Sequence, residues 1–315
     1  MINLDIPLFT RKHYESLMRT LDPIEEYRGW SVKDGGAFSL GPLIGSKVRQ
    51  CLHVVHEHLA DINYRYKGGI LTGAGLPSPQ IPIVAGVAKY FRLKCAVTTP
   101  KYDNEKRDSN RINASLAQQF GASVYGVGNP NPSGYEKDAK ELCQELGYFQ
   151  IKFGMFGDLA MEPVIEQVQN LPDYVRRIVI ISGSGLSALS VLRGIVRYQK
   201  PVAEVCIVTL SGHYAENKRK WYDNLPEAEK FTGKVTVVPS EYPYRAEHRF
   251  DGTYDFDVTY ESKAAQYMVN TWTPSRETAF WVVGRRVYDQ RVIQPINWLQ
   301  SAHERTLRTV SPSLF

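Results

Sequence analysis

From about Gly68 onward, short β-branched, apolar runs alternate with longer stretches of helical periodicity, the pattern of parallel βαβ units with helices on both sheet faces. The predicted strands are 69–72 (GILT), 94–99 (KCAVTT), 122–127 (ASVYGV), 177–182 (RIVIIS), 204–210 (EVCIVTL) and 234–239 (KVTVVP). Between them, Val84, Ala85, Ala88 and Phe91 share one side of a predicted helix over 81–91, and 134–146 and 159–171 supply further covering helices. Upstream, Cys51, Leu52, Val55, Leu59 and Ile62 recur at helical spacing after Val48. Ser46 is the expected N-cap, so Lys47 would open that helix. Polar, turn-rich stretches interrupt the series at 100–111 and 128–138, and the first reads as either a partly basic loop over a cleft or a solvated connection. The fold class expected is α/β, two interleaved three-layer αβα lobes with mostly parallel sheets. The large lobe would comprise 1–60 with 160–315, and the smaller lobe, 61–159, would be inserted in it.

Composition narrows the class without naming a chemistry. With 43% hydrophobic and 23% charged residues over 315 positions, the chain resembles a soluble globular protein with room for a large core. No apolar run approaches the roughly 20 residues of a membrane span, so no membrane partner is expected. The start, MINLDIPLFTRKHYESL, has no uninterrupted apolar segment of the signal-peptide kind, which predicts a cytoplasmic location, or the host cytoplasm for a viral protein. Cys51, Cys95, Cys143 and Cys206 are widely spaced with no CxxC pair, and read as buried reduced thiols rather than a zinc site. In HVVHEH, His53 and His56 would share a helix face while His58 would not, which disfavours metal binding. The net charge of +5 is compatible with anionic ligands or nucleic acid and is too dispersed to demonstrate either.

Three segments carry candidate chemistry. In GPLIGSKVRQ a Gly-Ser turn delivers Lys47 onto the first turn of a helix, where the helix dipole destabilises the ammonium form and favours the neutral amine that condenses with a carbonyl. A solvated surface lysine is the bland alternative. In ILTGAGLPSPQ the small residues Gly73, Ala74 and Gly75 let the backbone approach a ligand, and Ser78 with Gln80 opens a helix whose free N–H groups suit a carboxylate, unless the turn is merely structural. In RIVIISGSGLSALS, a buried strand is followed by Gly183, Ser184, Gly185, Leu186 and Ser187 and then a helix, the composition of a phosphate cradle. A dinucleotide fingerprint would place its glycines after the first strand with an acid about 20 residues on, and here the loop comes late without that acid. Neither a Walker GKS/GKT nor a GxSxG elbow is present.

Taken in order, these motifs resemble the fold type II pyridoxal-phosphate enzymes, the tryptophan synthase β family, and especially the aminocyclopropane-carboxylate deaminase and D-cysteine desulfhydrase branch. In that branch the Schiff-base lysine lies in G-N-K-x-R, matched by GSKVR at Lys47. Its Q-S-N-Q or Q-S-N-H turn aligns with PSPQ, which carries the substrate-carboxylate and cofactor roles onto Ser78 and Gln80. Its phosphate loop aligns with Gly183 to Ser187. Its D-P-V-Y-x-G-K pattern aligns with DVTYESK, which implies Tyr260 beside the cofactor ring and Glu261 against the pyridine nitrogen. The match spans about residues 35–270. It departs at Pro79, which replaces the family asparagine, and at Leu186, where a small residue is common; after Met268 no family motif matches.

The resemblance implies pyridoxal 5'-phosphate as cofactor and a lyase that breaks a bond at Cα of an amino acid or amino-acid-like amine, by deamination or decarboxylation. Lys47 would be the proton carrier at Cα, Tyr260 a second acid/base or a stacking wall, and Glu261 the partner that keeps the ring nitrogen protonated. A sharper alternative is decarboxylation of an amino acid attached to thymidine during viral DNA hypermodification, with the modified base in DNA as substrate. A second alternative is a non-catalytic phosphate- or amine-binding protein that retains the fold. A homodimer is expected by the same resemblance.

Overall fold

The computed structural model describes residues 3–100, 108–127, 132–210, 223–243, 246–250, 254–285 and 294–299. Near the N-terminus, helix α1 (Arg11–Arg19) precedes an antiparallel pair, β1 (Ile24–Tyr27) and β2 (Trp30–Asp34), and a two-residue hairpin, β3 (Ser39–Leu40) with β4 (Leu43–Ile44). Helices α2 (Ser46–Glu57) and α3 (Leu59–Arg65) lead into four parallel strands: β5 (Gly69–Gly73), β6 (Lys94–Pro100), β7 (Ser123–Val127) and β8 (Phe149–Ile151). Helices α4 (Gln80–Phe91), α5 (Asp108–Gln119) and α6 (Pro132–Leu146) connect them, and α7 (Asp158–Ile165) leads out. Strand β9 (Arg177–Ser182), helix α8 (Leu186–Arg197), strands β10 (Glu204–Thr209) and β11 (Lys234–Pro239), helix α9 (Glu261–Thr271) and strands β12 (Thr278–Val282) and β13 (Trp298–Leu299) complete the described elements.

Two sheets result. The larger has the order β1-β2-β12-β9-β10-β11, parallel except at the β1 edge, and the smaller has the order β13-β7-β6-β5-β8, all parallel. This is the mixed α/β, mostly parallel architecture that the alternation predicted. The reason is burial on both faces: β5 is buried throughout and β9 is buried at every position after Arg177, so near-continuous apolar runs replace an in/out alternation. Helix α4 is apolar almost all round because it is enclosed by α2, α5 and the small sheet, and Pro82 sits in its first turn, where its missing N–H costs little. One core joins α2, α4 and the small sheet (Leu52, Val84, Val97). Two others flank the large sheet, one under α7 and α8 (Val164, Ile180, Leu192) and one under α9 (Val179, Ala265, Phe280).

Several expectations need correction. The helix of Lys47 begins at Ser46, and its N-cap is Gly45 with φ +107°, because Gly45 lies against Gly284 where a side chain would not fit. The stretch 100–111, read as a loop, is helical from Asp108, whereas the helix expected over 134–146 is present and begins at Pro132; residues 101–107 and 128–131 lie outside the described residues. The helix over 159–171 is an α-helix only to Ile165 and continues as a 3-10 turn. Trp298–Leu299, expected with the large lobe, pairs with β7 in the small sheet. As expected, His53 and His56 share a helix face and both meet Tyr14, the first at 3.2 Å from its hydroxyl and the second stacked on its ring, whereas His58 packs on Phe149. All four cysteines are buried free thiols, and burial pushes each one's pKa up. No described helix is long and apolar enough to cross a membrane.

Candidate active site

Lys47 is the second residue of α2 and half-buried. The turn before it is fixed by backbone, not by a capping side chain: the Ser46 amide donates to the Val283 carbonyl at 2.8 Å, and a Cβ on Gly45 would fall 2.7 Å from the Gly284 Cα. Two residues on, Arg49 is buried and anchors the helix. It donates to Asp22 and to the Thr20 carbonyl, each at 2.5 Å, and its guanidinium lies over the Phe38 ring at 4.1 Å. Burial raises the Asp22 carboxyl, a shift that Arg49 opposes. Arg49 thus holds α2 in place two residues after Lys47.

Val283 and Gly284 follow the last paired residue of β12, so their amides have moved beyond the sheet's register. Both donate to Oε1 of Glu261, at 3.1 Å each. Glu261 is the first residue of α9 and only 2% exposed. Burial, helped by the charge of Asp257, pushes its carboxyl up to about 8, against the lowering effect of the amides of Glu261, Gly284 and Val283. Asp257 itself accepts from the Thr259 and Tyr260 amides, which fixes the turn into α9.

Tyr260, half-buried at the N-cap of α9, reaches the glycine loop: its ring carbon lies 3.2 Å from where a Cβ on Gly183 would sit. Gly185 takes φ +88° at the N-cap of α8 without a capping side chain, so the first-turn amides from Leu186 to Ala188 have no intrahelical partner. Ser182, at the end of β9, keeps a buried hydroxyl with no hydrogen-bond partner. Ser184 packs against Gly154, whose Cβ position would lie 3.1 Å from the Ser184 Cβ.

Gly154 leads back to the smaller sheet, three residues past the end of β8. Its amide donates to Oε1 of Gln80 at 2.9 Å, while Nε2 of Gln80 donates to Thr72 Oγ1 at 2.7 Å and to the Lys152 carbonyl at 2.9 Å. The fully buried Gln80 amide is therefore spent on protein partners: it braces the Gly154 turn against the Ser184 loop rather than offering donors to a ligand. Ser78 Oγ accepts from the Gln80 amide at 3.3 Å, which leaves its hydroxyl proton to donate. Pro79 is the N-cap of α4, with φ −67° and ψ −11°. The structure thus links all four motifs in one series of contacts: Ser78 and Gln80 to Gly154, Gly154 to Ser184, Gly183 to Tyr260, and Glu261 through Val283–Gly284 to the turn before Lys47.

Sequence reasoning missed Gly154, Val283 and Gly284. Gly154 stands in the short IKFGMFG segment, and Gly284 ends the apolar run TAFWVVG; a glycine closing an apolar run was the available signal for Gly284.

No protein-family model matches the chain. An O-seryl-dTMP PLP-dependent decarboxylase of Salmonella phage ViI is 28% identical over 178 residues, which are 50% of this chain and 39% of that protein. The match thus spans about two-fifths of that curated relative's length. Among solved structures, an ACC deaminase homologue is similar with a TM-score of 0.64 at 15% identity, over 87% of this chain and 95% of that one. Threonine deaminase isoform 2 from Solanum lycopersicum is similar with a TM-score of 0.62 at 11% identity, over 93% and 89% of the two chains. The chain has the fold of the fold type II pyridoxal-phosphate enzymes.

Proposed function

We propose that this chain is a pyridoxal-phosphate-dependent lyase that breaks a bond at Cα of an amino-acid-like substrate, and that within this class it is a decarboxylase of an amino acid carried on a thymidine nucleotide. The observation that supports the first part is the contact series that runs from Ser78 and Gln80 through Gly154 to the Ser184 loop, from Gly183 to Tyr260, and from Glu261 through Val283–Gly284 to the turn before Lys47. The second part is supported by the partial match to the phage decarboxylase, whose name specifies a seryl nucleotide.

The residues present fit the cofactor. An unpartnered Ser182 hydroxyl, a glycine loop with a left-handed Gly185 and the first-turn amides of α8, which have no intrahelical partner, suit a phosphate. Without a Cβ at Gly183 the Tyr260 ring lies directly against the glycine loop, and Tyr260 and Glu261 are the residues that would hold a flat ring there. When bound, the cofactor supplies an electron sink conjugated to the substrate's Cα. The protein's own groups do the rest. Lys47 would hold the cofactor through its side-chain amine and would be the group that carries a proton to the substrate Cα. The Ser78 hydroxyl, whose proton is left to donate, would orient the substrate carboxylate. Burial raises the Glu261 carboxyl, so it would hold a proton to share with a ring nitrogen more readily than an exposed acid. A homodimer in the cytoplasm of the cell, or of the host, belongs to the same proposal.

The test begins with purified protein and added pyridoxal phosphate. A visible absorption band is expected that borohydride abolishes, leaving the reduced cofactor on the Lys47 peptide. Lys47→Ala loses both; a colourless wild-type protein that cannot be reconstituted would overturn the assignment. Carbon dioxide released only from an aminoacyl thymidine nucleotide, in the nucleotide pool or in DNA, supports the decarboxylase. Ammonia and keto acid from free amino acids would select deamination instead.

A further inference from the structure

We infer that Glu261 is the positioning residue for Lys47, acting through the Val283–Gly284 backbone and separately from any contact with a ring nitrogen. The inference rests on the proposed function only in taking Lys47 as the reactive amine. Oε1 of Glu261 accepts two consecutive amides, those of Val283 and Gly284, which lie just past the last register pair of β12 and have no strand partner there. The same short segment receives the start of α2. The Val283 carbonyl accepts the Ser46 amide, and Gly45 and Gly284 lie backbone to backbone: a Cβ on Gly284 would sit 3.0 Å from the Gly45 Cα, and one on Gly45 would sit 2.7 Å from the Gly284 Cα.

Because α2 has no capping side chain, this backbone contact sets where its first turn begins. Lys47 is one residue beyond the Ser46 amide, so a shift of Val283–Gly284 moves the lysine directly. Buried amides that lose their acceptor must find another or move, so Glu261 fixes the segment against which α2 starts. The clamp needs a carbonyl-type oxygen, not a charge. It therefore persists when Oε2 carries a proton, and it should survive replacement of Glu261 by glutamine.

The experiment uses cofactor-free full-length protein. Amide exchange is followed at Ser46, Val283 and Gly284, together with the rate at which an amine-directed acylating reagent labels Lys47. In Glu261→Ala, exchange at all three amides is expected to rise roughly tenfold or more, with a changed Lys47 labelling rate, while α8 stays protected. Glu261→Gln should restore both readouts to near wild type, a rescue that loss of general packing would not give. Gly284→Ala, which keeps Glu261 but crowds Gly45, should speed Ser46 exchange and shift Lys47 labelling by itself. If either Glu261→Ala or Gly284→Ala leaves Ser46 and Lys47 unchanged, the relay is wrong. If Glu261→Ala fails to fold, Gly284→Ala and the glutamine rescue decide the question. Since no cofactor is present, this failure is distinct from a failure of Lys47 to bind pyridoxal phosphate.

Discussion

The turns after β5 and β9 are built alike, each a buried parallel strand running through glycines into a twelve-residue helix, yet they dispose of their polar groups in opposite ways. After β5, the Gln80 amide satisfies Thr72, Lys152 and Gly154, and Ser78 accepts the Gln80 amide. After β9, Gly185 caps α8 with no side chain and Ser182 keeps an unpartnered buried hydroxyl. A turn that satisfies itself is a brace, whereas a turn that leaves donors unmet is prepared for a ligand that supplies acceptors. Similar glycine-rich strings therefore encode different tasks, and the hydrogen-bond partners separate them.

That contrast can be broken by mutation. The largest effect is expected from Gln80→Leu, which strips partners from Thr72, Lys152 and Gly154 and should destabilise the fold by about 3 kcal/mol or more in urea unfolding. A loss below about 1 kcal/mol would show that the brace is dispensable. Glu261, next to the second turn, predicts a pH dependence in cofactor-free protein. Its folded pKa is raised from 4.5 to about 8, so the folded state binds the proton more tightly than the unfolded state. Stability should therefore fall as pH rises across that window and level off above it. Glu261→Gln should flatten the slope in parallel urea titrations, and an unchanged slope would assign it to other groups.

A smaller effect is expected from Gly185→Ala. A Cβ at φ +88° is strained by roughly 1–2 kcal/mol, and a rearranged α8 start should weaken pyridoxal phosphate binding by about tenfold, read by equilibrium dialysis. Ser182→Ala sharpens the contrast most finely: it removes an unmet hydroxyl, so stability should hold within about 0.5 kcal/mol while cofactor affinity falls a few-fold. Loss of stability without loss of affinity would make the second turn a brace like the first.

The central strand β12 and the pair β1 and β2 were not legible in the chain, although six other strands were. In β2 the run WSVKD is buried throughout, including Lys33, whose ammonium donates to the Asp22 carbonyl and to Asn170 Oδ1. A buried lysine with distant partners hides a strand from any pattern of apolar positions. Burial also lowers the Lys33 ammonium to about 8, against the pull of Asp22. Arg49 was legible only as part of a motif; its work, the buried pair with Asp22, depends on a residue far away in the chain.

The sequence by itself determined the alternation of buried strands and covering helices, and the order of the lysine turn, serine turn, glycine loop and Tyr-Glu pair, because periodicity and turn chemistry are local. Only the tertiary structure decided which of those groups are spent and which are available. Gln80 became a brace, Gly45 rather than Ser46 the cap, and Glu261 the acceptor of two amides. Those outcomes turn on partners distant in sequence, and a buried polar group takes its role from whichever partner reaches it.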